Sequence, residues 1–119
     1  MSVPRLQWSI FEIDRGSGVG ADGAGRRPVL VVSRDSANAA LPIVTVLPLI
    51  DRKPGRRIYP NEALLPSQSA KLRHDAITMA HQIRTIPKNL LDAPVGSVDD
   101  PDLRAAVRRA LQVQLNLDQ

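Results

Sequence analysis

The chain has no cysteine. That excludes disulfides, thiolate catalysis and zinc sites built on Cys, and leaves only His74 and His81 as soft metal ligands, so no metal or other cofactor is expected. Long apolar runs are missing too. None approaches the roughly 20 residues that a membrane helix needs, and no charged-then-apolar segment of the secretory kind stands at the beginning. The expectation is a soluble, cytoplasmic protein with no membrane contact. Several chemical motifs are absent as well. The glycine-rich GSGVGADGAG, residues 16–25, holds no Walker lysine and is followed by a strand pattern instead of a helix, which argues against a phosphate cradle. No GxSxG elbow occurs, and the carboxylates are too scattered to ligate two metals.

What is present fits one domain over residues 1–119, since 119 residues with 43% apolar content can bury a real core. The net charge is +4. Residues 1–98 hold thirteen Lys or Arg against eight Asp or Glu, a balance of +5, while residues 99–119 hold three against four. The positive field therefore belongs to the body of the chain, and it favours a polyanion or an acidic protein as partner. Because thirteen of the sixteen basic residues are Arg, a GC-rich genome is the competing explanation of the excess.

Along the chain, LQWSIFEID (6–14) carries apolar residues on both parities and predicts a strand. A glycine-rich loop follows, and then PVLVVS (28–33), apolar throughout, predicts a strand covered on both faces. DSANAALP offers Asp35 or Ser36 as a cap for a short helical turn ending before Pro42. IVTVLPLI (43–50) is another buried strand, in which Pro48 implies an edge or a bulge. DRKPGRR (51–57) puts four cations within Arg52–Arg57 around a Pro-Gly turn, as a hairpin-like basic tip would. Residues 58–75 show no clear periodicity. AITMAHQIR (76–84) alternates and predicts one strand, with Ile77, Met79, His81 and Ile83 on the apolar face and Gln82 and Arg84 on the polar one. Pro101, preceded by Asp99 and Asp100, opens an amphipathic helix whose apolar rows run through Leu103, Val107, Leu111, Leu115 and Ala106, Ala110, Val113, Leu117. Strands followed by a final helix predict an α+β, mainly β fold with an antiparallel sheet or small barrel. The Arg, His, Gln and Asp near strand ends suit metal-free acid–base chemistry on a phosphodiester.

Several segments together resemble the MazF/PemK family of toxin endoribonucleases. GRRPVLVVSRDSAN (25–38) resembles its RPVLVVS signature, IVTVLPL its next strand, HQIRTIPKNLL (81–91) its QIRT segment, and VGSVDDPDLRAAVRRALQVQLNL (95–117) its closing turn and helix. The resemblance implies an SH3-like small antiparallel β-barrel with a C-terminal helix, usually a symmetric homodimer. It implies cleavage of single-stranded RNA without a metal, by attack of the 2′-hydroxyl, and inhibition by an antitoxin whose flexible acidic segment covers the groove.

Residue roles follow from both levels. Arg27, at the start of a rigid strand, can place a planar, permanently charged fork where a pentacoordinate phosphate develops charge; by resemblance it is the main catalytic residue. Arg26 stands where the family varies and suits RNA-backbone binding. Asp22 matches an acidic loop position that orients the arginine or moves a proton. His81 stands where several relatives have an acidic residue. It can act as general acid or base, although its parity also suits a half-buried structural histidine. Gln82, Arg84, Asp51, Arg52 and Lys53 are candidates for RNA contact. Two departures from the family pattern stand out. Ile50 replaces the Thr or Ser that follows PL, and Ile cannot hydrogen-bond a phosphate; Gly23 stands where the loop glutamine is expected. Either His81 or Asp51 compensates for Ile50, or the chain is a toxin fold that binds RNA or a partner without cutting. A gyrase inhibitor of the CcdB kind is a further alternative, but the only tryptophan is Trp8 and the tail, LNLDQ, lacks the one such proteins use.

Overall fold

The computed structural model describes residues 5–14 and 26–118. Seven strands form one antiparallel sheet that curls around its core: β1 (Ser9–Asp14), β2 (Arg26–Val31), β3 (Ile43–Asp51), β4 (Glu62–Leu65), β5 (Ala76–Met79), β6 (Arg84–Pro87) and β7 (Pro94–Ser97). Among the described residues three α-helices accompany them: α1 (Asp35–Ala40), α2 (Ser67–Ala70) and α3 (Pro101–Gln114). The strand order is β4-β5-β3-β2-β1-β7, and β6 pairs with the other half of β3. The sequence-based expectation of a mainly β fold with a closing helix holds.

The central strands are apolar on both sides because both are covered. Val29, Leu30 and Val31 are fully buried, as the unbroken apolar run requires. One face carries Ile10, Leu30, Leu47, Leu49 and Leu65 against Val107 and Ala110 of α3. The other carries Phe11, Ile13, Val29, Val31, Val44, Val46 and Ile86, with Leu6, Leu90 and Leu91 over them. Each fully buried aliphatic side chain contributes about 1.5–3 kcal/mol. The helix begins as expected: Asp100 is its N-cap and accepts from the Asp102 amide at 2.8 Å.

Four expectations are corrected. The first strand starts at Ser9, because Trp8 adopts a φ of 70°, a left-handed conformation that ends a strand. Asp35 caps nothing in α1: the N-cap residue is Arg34, without a side-chain cap, and the Asp35 carboxylate instead accepts from the Leu6 and Gln7 amides at 2.9 and 3.0 Å. Burial works to raise its pKa, but those two amides, the Asn38 side chain and the charge of Arg5 outweigh it and hold it below the ordinary range. The basic segment 52–57 does turn at Gly55, with φ 80°. It is not the tip of a hairpin, however, because β5 lies between β3 and β4.

The fourth correction matters most for function. Residues 76–84 are not one strand. β5 pairs with Leu49–Asp51 of β3, β6 pairs with Ile43–Val46, and the register slips by three residues between them. Those residues, Ala80–Gln82, are extruded as a single 3-10 turn. An odd slip inverts the alternation, so Arg84 lies on the same face as Ile77, opposite to its predicted parity. Pro48 falls where the partner of β3 changes from β6 to β5. Val32 donates to Thr45 across the β2–β3 ladder, and two-residue alternation from there turns the Pro48 nitrogen away from β2 toward that gap. The proline is therefore tolerated in a central strand, not on an edge.

Candidate active site

The site is built on one face of β2 and β3. Arg27 follows Arg26 at the start of β2, pairs in register with Ile13, and is only 8% exposed. Two-residue alternation sets it on the face of Ile13 and Val29. Val29 is opposite Pro48, so Pro48 and Ile50 of β3 share that face, and Arg84, opposite Val46, shares it too. The Nε of Arg84 is buried and has no hydrogen-bond partner among the described residues. Such an orphaned donor carries a desolvation penalty that a phosphate or base oxygen would relieve. In the adjoining rows Ile50 pairs with Ile77, and Glu62 with Met79.

Beyond Met79 the extruded turn carries His81 and Gln82 out of the sheet. His81 is exposed, contrary to the half-buried position its parity predicts, because the turn breaks the alternation. Its Nε2 lies 3.5 Å from the Gln82 Nε2. It lines an open cleft of about 760 Å³ together with Arg56, Tyr59, Asn61, Glu62 and Gln114. Glu62 anchors this cleft from below. Its buried carboxylate accepts from Arg56 Nη1 at 3.0 Å, Arg56 Nη2 at 2.8 Å and the Tyr59 amide at 3.0 Å. The Arg56 pairing holds the Glu62 pKa below the ordinary carboxylate range, with the Tyr59 amide and the charge of His81 acting the same way against burial.

Arg26 and Asp51 face the other way. Arg26 is ion-paired with Glu12 and Asp92, and the Asp92 hydrogen bond is the main cause of its raised pKa. Asp51 is exposed and lines a second cavity, of about 540 Å³, with Glu12, Lys71, Arg73 and His74. Arg52 donates twice to the Arg56 carbonyl at 3.1 Å, while Lys53 is exposed. Asp22 and Gly23 lie outside the described residues. The structure thus gathers Arg27, Ile50 and Arg84 on one face, with His81 and Gln82 at its margin, and separates Arg26 and Asp51 from them. Sequence reasoning passed over Tyr59, Asn61 and Gln114. The available signal was a lone tyrosine two residues after a cluster of four cations.

Among the described residues, no group of three or more His, Asp or Glu is placed to hold a metal ion, and no helix is long and apolar enough to cross a membrane.

Comparison with known proteins shows the family. Residues 6–115 match the family model described as PemK-like, MazF-like toxin of type II toxin–antitoxin system. The chain is 32% identical over 113 residues to endoribonuclease MazF9 of Mycobacterium tuberculosis, covering 91% of this chain and 93% of that protein. It is 28% identical over 108 residues to endoribonuclease EndoA of Bacillus subtilis, covering 91% of each. Among solved structures, a mycobacterial endoribonuclease in complex with its cognate antitoxin superposes with a TM-score of 0.75 at 25% identity, over 98% of this chain and 99% of that one. MazF from Deinococcus radiodurans superposes with a TM-score of 0.70 at 26% identity, over 98% and 99%. With residues 6–115 matched by the family model and a 32% identical relative aligned over 91% of its own length, this chain belongs to the MazF-like, PemK-like toxins of type II toxin–antitoxin systems.

Proposed function

We propose that the chain is a cytoplasmic toxin acting as a metal-independent, sequence-specific endoribonuclease on single-stranded RNA. It works as one domain and as a homodimer, and is silenced by an antitoxin whose flexible acidic segment occupies the groove. The observation that carries the reading is Arg27, held almost fully buried at the start of a central strand, on the face that also presents the orphaned Nε of Arg84.

The chemistry follows from those positions. The 2′-oxygen attacks the adjacent phosphorus and loses its proton to a base. The P–O5′ bond breaks, and the 5′-oxygen gains a proton, leaving a 2′,3′-cyclic phosphate and a 5′-hydroxyl. Charge accumulates on the equatorial phosphoryl oxygens in between, where the Arg27 guanidinium offers paired N–H donors. His81, exposed on its turn, exchanges the proton as acid or base, and Asp22 orients the arginine or relays that proton. Arg26, Gln82, Arg84, Arg52 and Lys53 contact the RNA. Asp51 also contacts it, from the far cavity, as an acceptor for base N–H groups, since its carboxylate would repel a phosphate. Ile50 offers no hydrogen bond at its half-buried place on the Arg27 face, and it favours a second reading, a toxin fold that binds RNA without cutting.

Incubation with a long mixed-sequence RNA in EDTA, with 5′ ends mapped and Arg27→Ala run alongside, separates the two. Discrete cuts with 5′-hydroxyl ends, lost in the variant, are expected. RNA left intact at high protein concentration would overturn the nuclease reading in favour of the binding module, with Ile50→Thr as the variant that restores cutting.

A further inference from the structure

The chain contains one Trp, one Tyr and one Phe. Trp8 and Phe11 are buried, at 8% and 9% exposure, whereas Tyr59 is 48% exposed. Unpaired bases are held in proteins chiefly by stacking on aromatic rings or guanidinium planes, with polar groups reading their edges. Among the Trp, Tyr and Phe rings, Tyr59 alone is open to a base, and exposed His81 borders the same cleft.

The surroundings of Tyr59 are built for that use. The guanidinium carbons of Arg56 and Arg57 lie 5.5 and 5.2 Å from the ring centroid, so cations already border the ring. It borders the open cleft of about 760 Å³. Across the cleft, Asn61 Nδ2 donates to Gln114 Oε1 at 3.0 Å. That contact leaves the Asn61 carbonyl oxygen and the Gln114 amino group with bonding capacity for a base edge. The platform is also preorganised. Tyr59 and Glu62 exchange two hydrogen bonds, from the Tyr59 amide to the Glu62 carboxylate and from the Glu62 amide to the Tyr59 carbonyl at 2.9 Å. The same carboxylate clamps Arg56, whose carbonyl is held by Arg52. A backbone held in this way limits the ordering of the segment that binding must still supply.

We propose that Tyr59 is a base-stacking platform for single-stranded RNA. One nucleobase lies on its ring within the cleft, Asn61 and Gln114 meet the base edge, and exposed Arg57 takes the flanking phosphate. The inference deepens the reading of the chain as an RNA-acting toxin and rests on it. It adds a base-recognition subsite next to His81, distinct from the phosphate chemistry at Arg27.

The test measures binding apart from cutting. Anisotropy of a labelled, short, random-sequence 2′-O-methyl RNA pool, in which the nucleophile is blocked, is titrated with wild type, Tyr59→Ala, Tyr59→Phe and Arg57→Ala. Tyr59→Ala is expected to weaken binding roughly 5- to 150-fold, the range for losing one stacked base. Its salt slope should stay unchanged, because stacking releases no counterions, whereas Arg57→Ala should make the slope shallower. Tyr59→Phe, which keeps the ring, should recover most of the loss. Melting curves confirm folding of the surface variants. Binding by Tyr59→Ala within twofold of wild type overturns the proposal, and so does equal loss in Tyr59→Phe, which would point to the hydroxyl. A wild type that binds the pool but leaves unmodified RNA intact overturns only the nuclease reading; one that does neither overturns both.

Discussion

Arg26 and Arg27 are adjacent and lie on opposite faces of β2. Arg26 is engaged by Glu12 and Asp92 in the open, while Arg27 is withdrawn to 8% exposure beside Ile13 and Val29. A strand alternates its side chains, so a doubled arginine at a strand start gives one cation to each side. His81 owes its exposure to the three-residue turn and not to its own chemistry. If His81 exchanges the proton, the cleavage rate should depend on pH. His81→Gln should be slower and lose that dependence; a profile equally steep in the variant would move the proton transfer to another group.

The loop between β3 and β4 is shaped by one buried carboxylate. Removing its charge in Glu62→Gln weakens two charge-assisted hydrogen bonds from Arg56 and one from the Tyr59 amide, and should lower stability by about 2 kcal/mol in urea titrations. The sign with pH follows from its depressed pKa. Its stabilisation is fully present above the unfolded-state value near pH 4 and is lost as pH falls through the lower folded-state value. Wild type should therefore lose stability on acidification below about pH 5 more steeply than Glu62→Gln; equal slopes would mean that the pairing contributes nothing.

Another element junction is set by Gly96 of β7. A Cβ there would stand 2.5 Å from the Ala70 carbonyl oxygen at the end of α2 and 2.9 Å from Leu72 Cδ2. The leucine can rotate but a backbone oxygen cannot, so Gly96→Ala should cost about 1–3 kcal/mol by forcing β7 and α2 apart. An unchanged urea midpoint would show that the two elements slide past each other freely.

At the scale of the whole molecule, the +5 balance of residues 1–98 should make RNA binding fall steeply with salt. The logarithmic slope is about −0.7 per phosphate neutralised on a single strand. Lys53→Ala, which removes an exposed cation of the basic segment 52–57, should lower the slope by about 0.7 and weaken all RNA sequences alike. A slope identical to wild type would take segment 52–57 out of the groove. The same field would also attract an acidic protein segment, since such a segment and RNA are both polyanions.

Much of this was legible in the sequence alone. The apolar run behind Arg27, the Asp–Pro start and apolar rows of α3, and the positive body of the chain are local patterns of spacing and type, and local patterns survive folding when burial agrees with them. Tertiary structure decided the rest. The run 76–84 broke because two segments of β3 had to be paired at registers three residues apart, a demand made by a strand some thirty residues away. That odd slip brought Arg84 to the Arg27 face and pushed His81 into the open. Asp51 and Ile50, neighbours in sequence, parted because a strand alternates. Tyr59, unremarkable among prolines, became a candidate platform only when Glu62 and the end of α3 closed around it, since a site is made of residues whose proximity no sequence distance encodes.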